Sequence, residues 1–328
     1  MRTLQREYGQ EAFVSGQQKT INLPIDYAQA DIMVEFKANI TITDPGGGAA
    51  GTVSDHAPAG LVSSINIRAN GSDVIKSFSL IDAIYQSQIR YGVLPLQSVM
   101  ANGNVKAATD YYVTARIDFA MYGTVKPYDT VFNSKRLTSL QALIQFGSAS
   151  DCYADAKGTM TTVVNSGTIT LYGKEAVGID PEAVFPVFKE STIASTVTAT
   201  TSEFKIPLNY AQDLSYRALT LRGIVDGVSS NAILNNVKLQ SGGVVFLNVN
   251  AARLRARNTL CAGLSMPTGC YEIDFAEGAH AALGRINDSL DTSGLSSLDL
   301  ILDVTKSGTV SIVKVVTKEI IVPTVVKK

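Results

Sequence analysis

Short stretches of alternating apolar and polar residues recur along the chain, and they predict strands. Residues 31–43 end with Ala38, Ile40 and Ile42 on one face and Asn39, Thr41 and Thr43 on the other, the period of a half-buried strand. Residues 20–25 are strand-like up to Pro24, which has no N–H to give to a ladder and so marks a strand end or edge. Residues 64–78 form the clearest hairpin. Ile65, Ile67 and Ala69 face one way, Asn66 and Arg68 the other, and Asn70-Gly71 supplies the positive φ angles of a type I′ turn. Over 79–91 the period changes: Ile81, Ile84, Tyr85 and Ile89 have helical spacing, with Ser79 placed as an N-cap. Strands follow at 111–120, 139–146 and 167–172. Residues 1–19 are polar and read as an arm. The Gly- and Pro-containing stretch 44–60 and the segment around Lys126-Pro127-Tyr128-Asp129 read as long loops. Residues 178–199, with Pro181, Pro186 and a Ser/Thr-rich run, read as a linker.

Beyond that linker the order repeats. Leu23-Pro24-Ile25-Asp26-Tyr27-Ala28-Gln29 is answered by Ile206-Pro207-Leu208-Asn209-Tyr210-Ala211-Gln212 at an offset of 183 residues. A strand over 218–225 follows, then a hairpin across Ser241-Gly242-Gly243, with Val237 in the place of Ile65 at offset 172. A helix-like stretch, 250–262, stands where 79–91 stood. Ile273-Asp274-Phe275-Ala276 answers Ile117-Asp118-Phe119-Ala120 at offset 156. Leu295-Ser296-Ser297-Leu298 answers Leu137-Thr138-Ser139-Leu140 at offset 158. Gly308-Thr309-Val310-Ser311-Ile312 answers Gly167-Thr168-Ile169-Thr170-Leu171 at offset 141. Each match alone is weak. Their common order predicts a duplicated domain whose first copy carries the longer loops. Pro24 with Tyr27, and Pro207 with Tyr210, then serve as anchors: each proline ends a strand and each tyrosine packs at the turn into the next.

Each copy has about eight short strands and one inserted helix. Strands that do not alternate regularly with helices predict antiparallel sandwiches. The expected fold is all-β: two tandem eight-stranded antiparallel jelly rolls, each with a short inserted helix. The expected division is an arm at 1–19, a first jelly roll at 20–177, a linker at 178–199, a second jelly roll at 200–322 and a tail at 323–328.

Composition narrows the function. The chain has 328 residues, 45% hydrophobic and 17% charged, with a net charge of −1. That charge is below the usual quarter, so much of the surface is small and polar, and no general electrostatic grip on nucleic acid is expected. Met1–Tyr8 contains no apolar core of an export signal, and no stretch has the roughly 20 apolar residues of a membrane span. Cys152, Cys261 and Cys270 are too few, and odd in number, for a disulfide framework.

The chemistry is sparse. His56 and His280 occupy unmatched positions and cannot assemble the imidazole cluster of a jelly-roll metalloenzyme, so both read as surface residues. Cys152 has no histidine nearby in sequence to act as its base. Gly46-Gly47-Gly48 lacks the Gly-Lys-Ser/Thr that completes a phosphate loop. Asp288 and Asp291 near Asn287 do not have EF-hand spacing; a structural Ca²⁺ is allowed but not indicated. Arg253, Arg255 and Arg257 spread around a helix and read as salt-bridge formers. Arg2, Arg6, Lys327 and Lys328 make a better case for a lipid-facing end. No catalytic, cofactor-binding or metal-ligating residue is expected, and the chain does not read as an enzyme.

Two collinear jelly-roll copies in some 330 residues, with no export signal, resemble the double jelly-roll major capsid proteins of tailless icosahedral bacteriophages with an internal membrane, such as corticoviruses and finnlakeviruses. The resemblance rests on architecture and transfers no residue-level site. It implies a homotrimer forming a pseudo-hexameric capsomer, a closed icosahedral shell made with other virion proteins such as a penton, peripheral contact with a membrane, and no sequence-specific nucleic-acid binding. It places the protein in the virion, and in the host cytoplasm during assembly. The alternative is a tandem β-sandwich carbohydrate-binding or adhesin module, against which stand the absence of Trp and an aromatic content of only 7%.

Overall fold

The computed structural model describes residues 2–43, 51–100, 106–121, 130–155, 161–262, 266–275 and 289–322. The chain divides into two compact units, residues 1–119 with 131–183, and residues 120–130 with 184–328.

The first unit contains β1 (Arg2–Ala12), β2 (Gln18–Asn22), β3 (Ala28–Thr43), β4 (Val62–Ala69), β5 (Asp73–Phe78), α1 (Leu80–Tyr91), β6 (Lys106–Asp118), β7 (Leu140–Phe146) and β8 (Thr161–Val177). One sheet has the order β1-β8-β3-β6, and the other joins β2, β7, β4 and β5 in that order. All these pairings are antiparallel. Consecutive strands alternate between sheets, with one hairpin, β4-β5, and the first and last strands side by side. That order defines a jelly roll. The core forms where the two inner faces meet. Ile32, Val34, Phe36 and Ile40 point inward from β3, and Ile65, Ile67, Ala142, Ile144 and Phe146 from the opposite sheet, all at most 1% exposed. The rings of Phe13 and Phe146 meet edge-on at 5.1 Å. Burying each of these Ile, Val and Phe side chains stabilises the roll by about 1.5–3 kcal/mol.

The second unit repeats the plan with β9 (Val187–Thr196), β10 (Thr201–Pro207), β11 (Leu214–Val225), β12 (Leu234–Ser241), β13 (Val244–Asn250), α2 (Ala251–Ala262), β14 (Cys270–Asp274), β15 (Asp299–Val304) and β16 (Ser311–Ile321). Its sheets run β9-β16-β11-β14 and β10-β15-β12-β13. Its core includes Ile206, Tyr216, Leu219, Val237, Leu239, Leu300, Leu302 and Val313.

Local sequence explains the elements. Asn70 and Gly71 both take positive φ, 51° and 79°, as the turn between β4 and β5 requires. At α1 the Ser79 hydroxyl accepts the Asp82 N–H at 3.1 Å, and Gly92 closes the helix at φ 69°. At α2 the Asn250 side chain accepts the Ala252 N–H at 2.9 Å, while Ala251 and Leu254 face the core.

Three expectations change. The polar residues 1–19 do not make a free arm, because Arg2–Ala12 is the outer strand of the first roll, bonded along β8. Its side chains are mostly exposed, so the alternation that reveals a strand is missing. Residues 178–199 are not all linker, because Val187–Thr196 is the first strand of the second roll. Its Ser/Thr content hid it. Tyr153–Asp155 pairs with Thr52–Val53, inside a stretch read as loop. The predicted segments around Gly46, around Lys126, at His280 and at 323–328 lie outside the described residues.

Candidate functional site

The strand registers align the two rolls more finely than their sequences do. In the first hairpin sheet the register breaks at Val62/Ser64 and Ile67/Arg68; in the second it breaks at Leu234/Asn236 and Leu239/Gln240. Both breaks recur at the offset of 172 read from sequence. The offset of 156 also holds, because Ile117 lies opposite Ile32 and Ile273 opposite Leu219. So does 158, with Ile144 opposite Ile65 and Leu302 opposite Val237.

The Pro-Tyr-Ala-Gln phrases, by contrast, do not coincide in space. The Leu23 N–H bonds to the Leu140 carbonyl and the Leu208 N–H to the Leu298 carbonyl, so Leu23 corresponds to Leu208 rather than to Ile206. In the next strand the slip has doubled. A bulge at Lys174/Glu175 opposite Gln29 and Asp31 recurs as a bulge opposite Glu319 and Lys318, at Tyr216 and Ala218. Gln29 therefore corresponds to Tyr216, and Glu175 to Glu319. The fifth sequence match also slides, by three residues. Gly167 lies within β8, whereas Gly308 sits in the turn before β16 at φ 64°.

The corner chemistry follows this corrected alignment. In the first roll Pro24 lies just beyond β2 and Tyr27 is half-buried. Gln29 is fully buried. Its Nε2 donates to the Pro24 carbonyl at 2.9 Å, and its Oε1 accepts the Tyr8 hydroxyl at 2.6 Å. Glu175, also fully buried, accepts from Arg6 at 3.0 Å. In the second roll Pro207 ends β10, but Tyr210 is 47% exposed. Its expected role falls to Tyr216, whose hydroxyl donates to the Asn209 carbonyl at 2.8 Å. Thr292 completes this corner, its Oγ1 accepting the Ala211 N–H at 3.1 Å. Pro24 and Asn209 are thus the equivalent acceptors. The same bond is made by Gln in one roll and Tyr in the other.

A second buried charge cluster lies where α1 meets β6. Arg90 and Asp118 pair at 3.0 Å with side chains 1% and 3% exposed. Arg116 reaches Asp118 and Asp31, both at 2.9 Å, and stacks over Tyr91 at 4.8 Å. Asp31 and Asp118 are directly opposed across the sheet, so the arginines offset a like-charge contact. Burial is the main cause raising the Asp31 pKa, with the Arg116 charge opposing it. In the second roll the position of Arg116 is taken by Glu272, which receives the Lys318 ammonium at 2.6 Å, both side chains at most 1% exposed. The first cluster ties α1 to β3 and β6, and the second ties β14 to β16.

Other residues read from sequence are placed as follows. Arg2 is exposed at the end of β1. Arg6 is held by Glu175 and, at 3.5 Å, by Asp26, so it is an internal tie more than a lipid-facing cation. Lys327 and Lys328 lie outside the described residues, as do Asn287 and Asp288. Asp291 bonds to Ser293, whose N–H and hydroxyl hold its carboxylate below the usual range. His56 departs from a surface reading: it is half-buried, its ring 4.9 Å from Tyr85 and its Nδ1 3.0 Å from Gln97 Oε1. Cys152 is buried, and burial pushes its thiol up to about 12. Arg255 donates to the Met266 carbonyl at 2.8 Å, while Arg253 is exposed. Among the described residues no three His, Cys, Asp or Glu cluster as metal ligands, and no helix is long and apolar enough to cross a membrane.

No family model matches the sequence, and no curated protein matches it. Solved structures do. The STIV MCP, from Sulfolobus Turreted Icosahedral Virus, is 15% identical, with a TM-score of 0.73 and 98% of each chain covered. The major capsid protein P2 of bacteriophage PM2 is 12% identical, with a TM-score of 0.66 and 100% of each chain covered. VP54 of PBCV-1, fitted into a reconstruction of the virophage Sputnik, is 12% identical, with a TM-score of 0.63, covering 97% of this chain and 94% of its own. These likenesses establish the fold, a double jelly roll.

Proposed function

We propose that the chain is a viral major capsid protein, which trimerises into a pseudo-hexameric capsomer and builds an icosahedral shell around an internal membrane. The observation that carries this reading is the duplicated jelly roll over the whole chain, an architecture it has in common with three capsid proteins at nearly full coverage. The buried ionic clusters support it, since they stiffen each roll and leave the chemistry of assembly to its surfaces. Function then lies in contacts, each modest, that a closed lattice multiplies. The protein works without a cofactor or catalytic group. It enters the virion from the host cytoplasm and meets other virion proteins, such as a penton, at special positions of the shell. Exposed Arg2 supports peripheral contact with anionic lipid, where a cation contributes roughly 1 kcal/mol.

Mass measurement and electron microscopy of the purified protein test the reading. Particles of three times the 34.9 kDa chain mass, with hexagonal outline, or closed shells are expected. A monomer that persists at high concentration overturns it.

A further inference from the structure

Two hollows, of about 420 and 530 Å³, lie on the outer face of the β1-β8-β3-β6 sheet. Lys37 and Asn39 of β3 line the first, and Met33 and Glu35 of the same strand line the second. The hollows therefore follow one another along β3 as one trough. Each holds an exposed tyrosine ring: Tyr112 of β6, 38% exposed, and Tyr172 of β8, 39% exposed. Tyr112 is opposite Lys37 and Tyr172 opposite Met33. The rings thus flank β3 from its two sides, about 13 Å apart along the strand at a rise of ~3.3 Å per residue.

Beside the rings stand groups that bond to hydroxyls. Asn165 donates to Asn39 Oδ1 at 2.7 Å, and Asn39 donates to Asp110 at 2.6 Å. This chain of side chains crosses β8, β3 and β6 and holds each amide in a fixed direction. β8 bulges between Val164 and Ser166, and Asn165 and Ser166 are both exposed there, although they are neighbours. Charge then selects the ligand class. The trough is lined by three cations, Arg6, Lys37 and Lys174, and four carboxylates, Glu7, Asp31, Glu35 and Asp110. That balance gives no grip on a polyanion. Polar side chains separate the exposed apolar ones, so the face is not one continuous apolar patch. A pyranose matches such a surface: its C–H face lies on an aromatic ring while its hydroxyls bond to an amide and a carboxylate alongside.

We propose that this trough binds a neutral polysaccharide chain, with Tyr112 and Tyr172 as platforms and Asn39 and Asp110 as the hydroxyl-binding pair. Asn39 lies toward the end of the sheet opposite Arg2. In the capsid reading, on which this orientation rests, that end is turned away from lipid, so the ligand is a glycan outside the particle. A closed shell repeats the trough many times, and weak single contacts add.

An array of neutral glycans probed with the purified assembly, followed by calorimetry with the strongest binder, tests the proposal. Saturable binding is expected. Tyr112→Ala, Tyr172→Ala or Asp110→Ala is expected to weaken it about tenfold, with particle mass and circular dichroism unchanged. Tyr172→Phe, which keeps the ring, is expected to retain the affinity. Tyr210→Ala, which removes an exposed ring from the second roll, is expected to leave binding intact. Assembled protein that binds no neutral glycan, that prefers heparin or DNA, or that binds glycan equally well in the three alanine variants overturns the trough and leaves the capsid reading standing. A monomeric wild type overturns the capsid reading, and its glycan binding is then judged by the same variants.

Discussion

Gln29 and Gln212 end the two copies of the same phrase, and the structure assigns them opposite weights. Replacing Gln29 with alanine removes the 2.9 Å bond to the Pro24 carbonyl and the 2.6 Å bond from Tyr8. It also strips a polar neighbour, 3.4 Å away, from the buried Glu175 carboxylate. A net hydrogen bond is worth about 1 kcal/mol, and a buried group left unsatisfied costs about 1–3 kcal/mol. Tyr8 is only half-buried, so water rescues part of its share; the Pro24 carbonyl and the small cavity carry the rest. The expected loss is about 2–4 kcal/mol, which lowers the melting temperature of a roll of this size by roughly 5–12 °C. Gln212 is exposed, and its alanine variant is expected to stay within about 0.5 kcal/mol. Hydrogen exchange read by peptide resolves the two rolls: Gln29→Ala accelerates exchange in β2, β3 and β8 and leaves β10–β12 unchanged. Equal effects of the two variants, or a larger effect of Gln212→Ala, would refute the corrected alignment of the corners.

Other outcomes follow from single contacts. A Cβ at Gly173 would lie 1.7 Å from the Tyr8 ring, so Gly173→Ala is expected to drive Tyr8 off Gln29, seen as a lower urea midpoint and a more reactive Tyr8 under mild iodination. Burial raises the Glu319 pKa, so the folded state holds its proton more tightly than the unfolded chain does. Ionising it costs stability as pH rises from the unfolded value of 4.5 through the higher folded value. Glu319→Gln is therefore expected to raise the urea midpoint at pH 7, with the gain fading as pH falls below 4.5; a gain that persists at low pH would count against this cause. Cys152, buried and with a raised pKa, is expected to resist a thiol reagent in the native protein and react in urea; rapid native labelling at that residue would show the first roll opening there.

Much of the fold was legible because half-buried strands announce themselves. The alternation at Ile65, Ile67 and Ala69, the turn at Asn70-Gly71 and the cap at Ser79 are local devices, and local devices are written in short stretches. The duplication was legible for the same reason, and three of its offsets survive in the registers. Strands that are mostly polar, as in Arg2–Ala12, or rich in Ser and Thr, as in Val187–Thr196, carry no such period, and their sequence resembles an arm and a linker. The alignment of the corners failed where insertions of two residues each separate shared words from shared positions.

What the sequence alone determined is the inventory: two similar sets of strands, with one helix in each. Tertiary structure decided which residues do equivalent work. Gln29 and Tyr216 make the same bond to Pro24 and Asn209, although no residue matching in sequence pairs them. Glu272 faces Lys318 where the other roll sets Arg116 against Asp31. The physical reason is that a buried acceptor must be satisfied, while any donor that reaches it will serve. A sheet fixes the position and the sign of the need, and leaves the identity of the residue free to change.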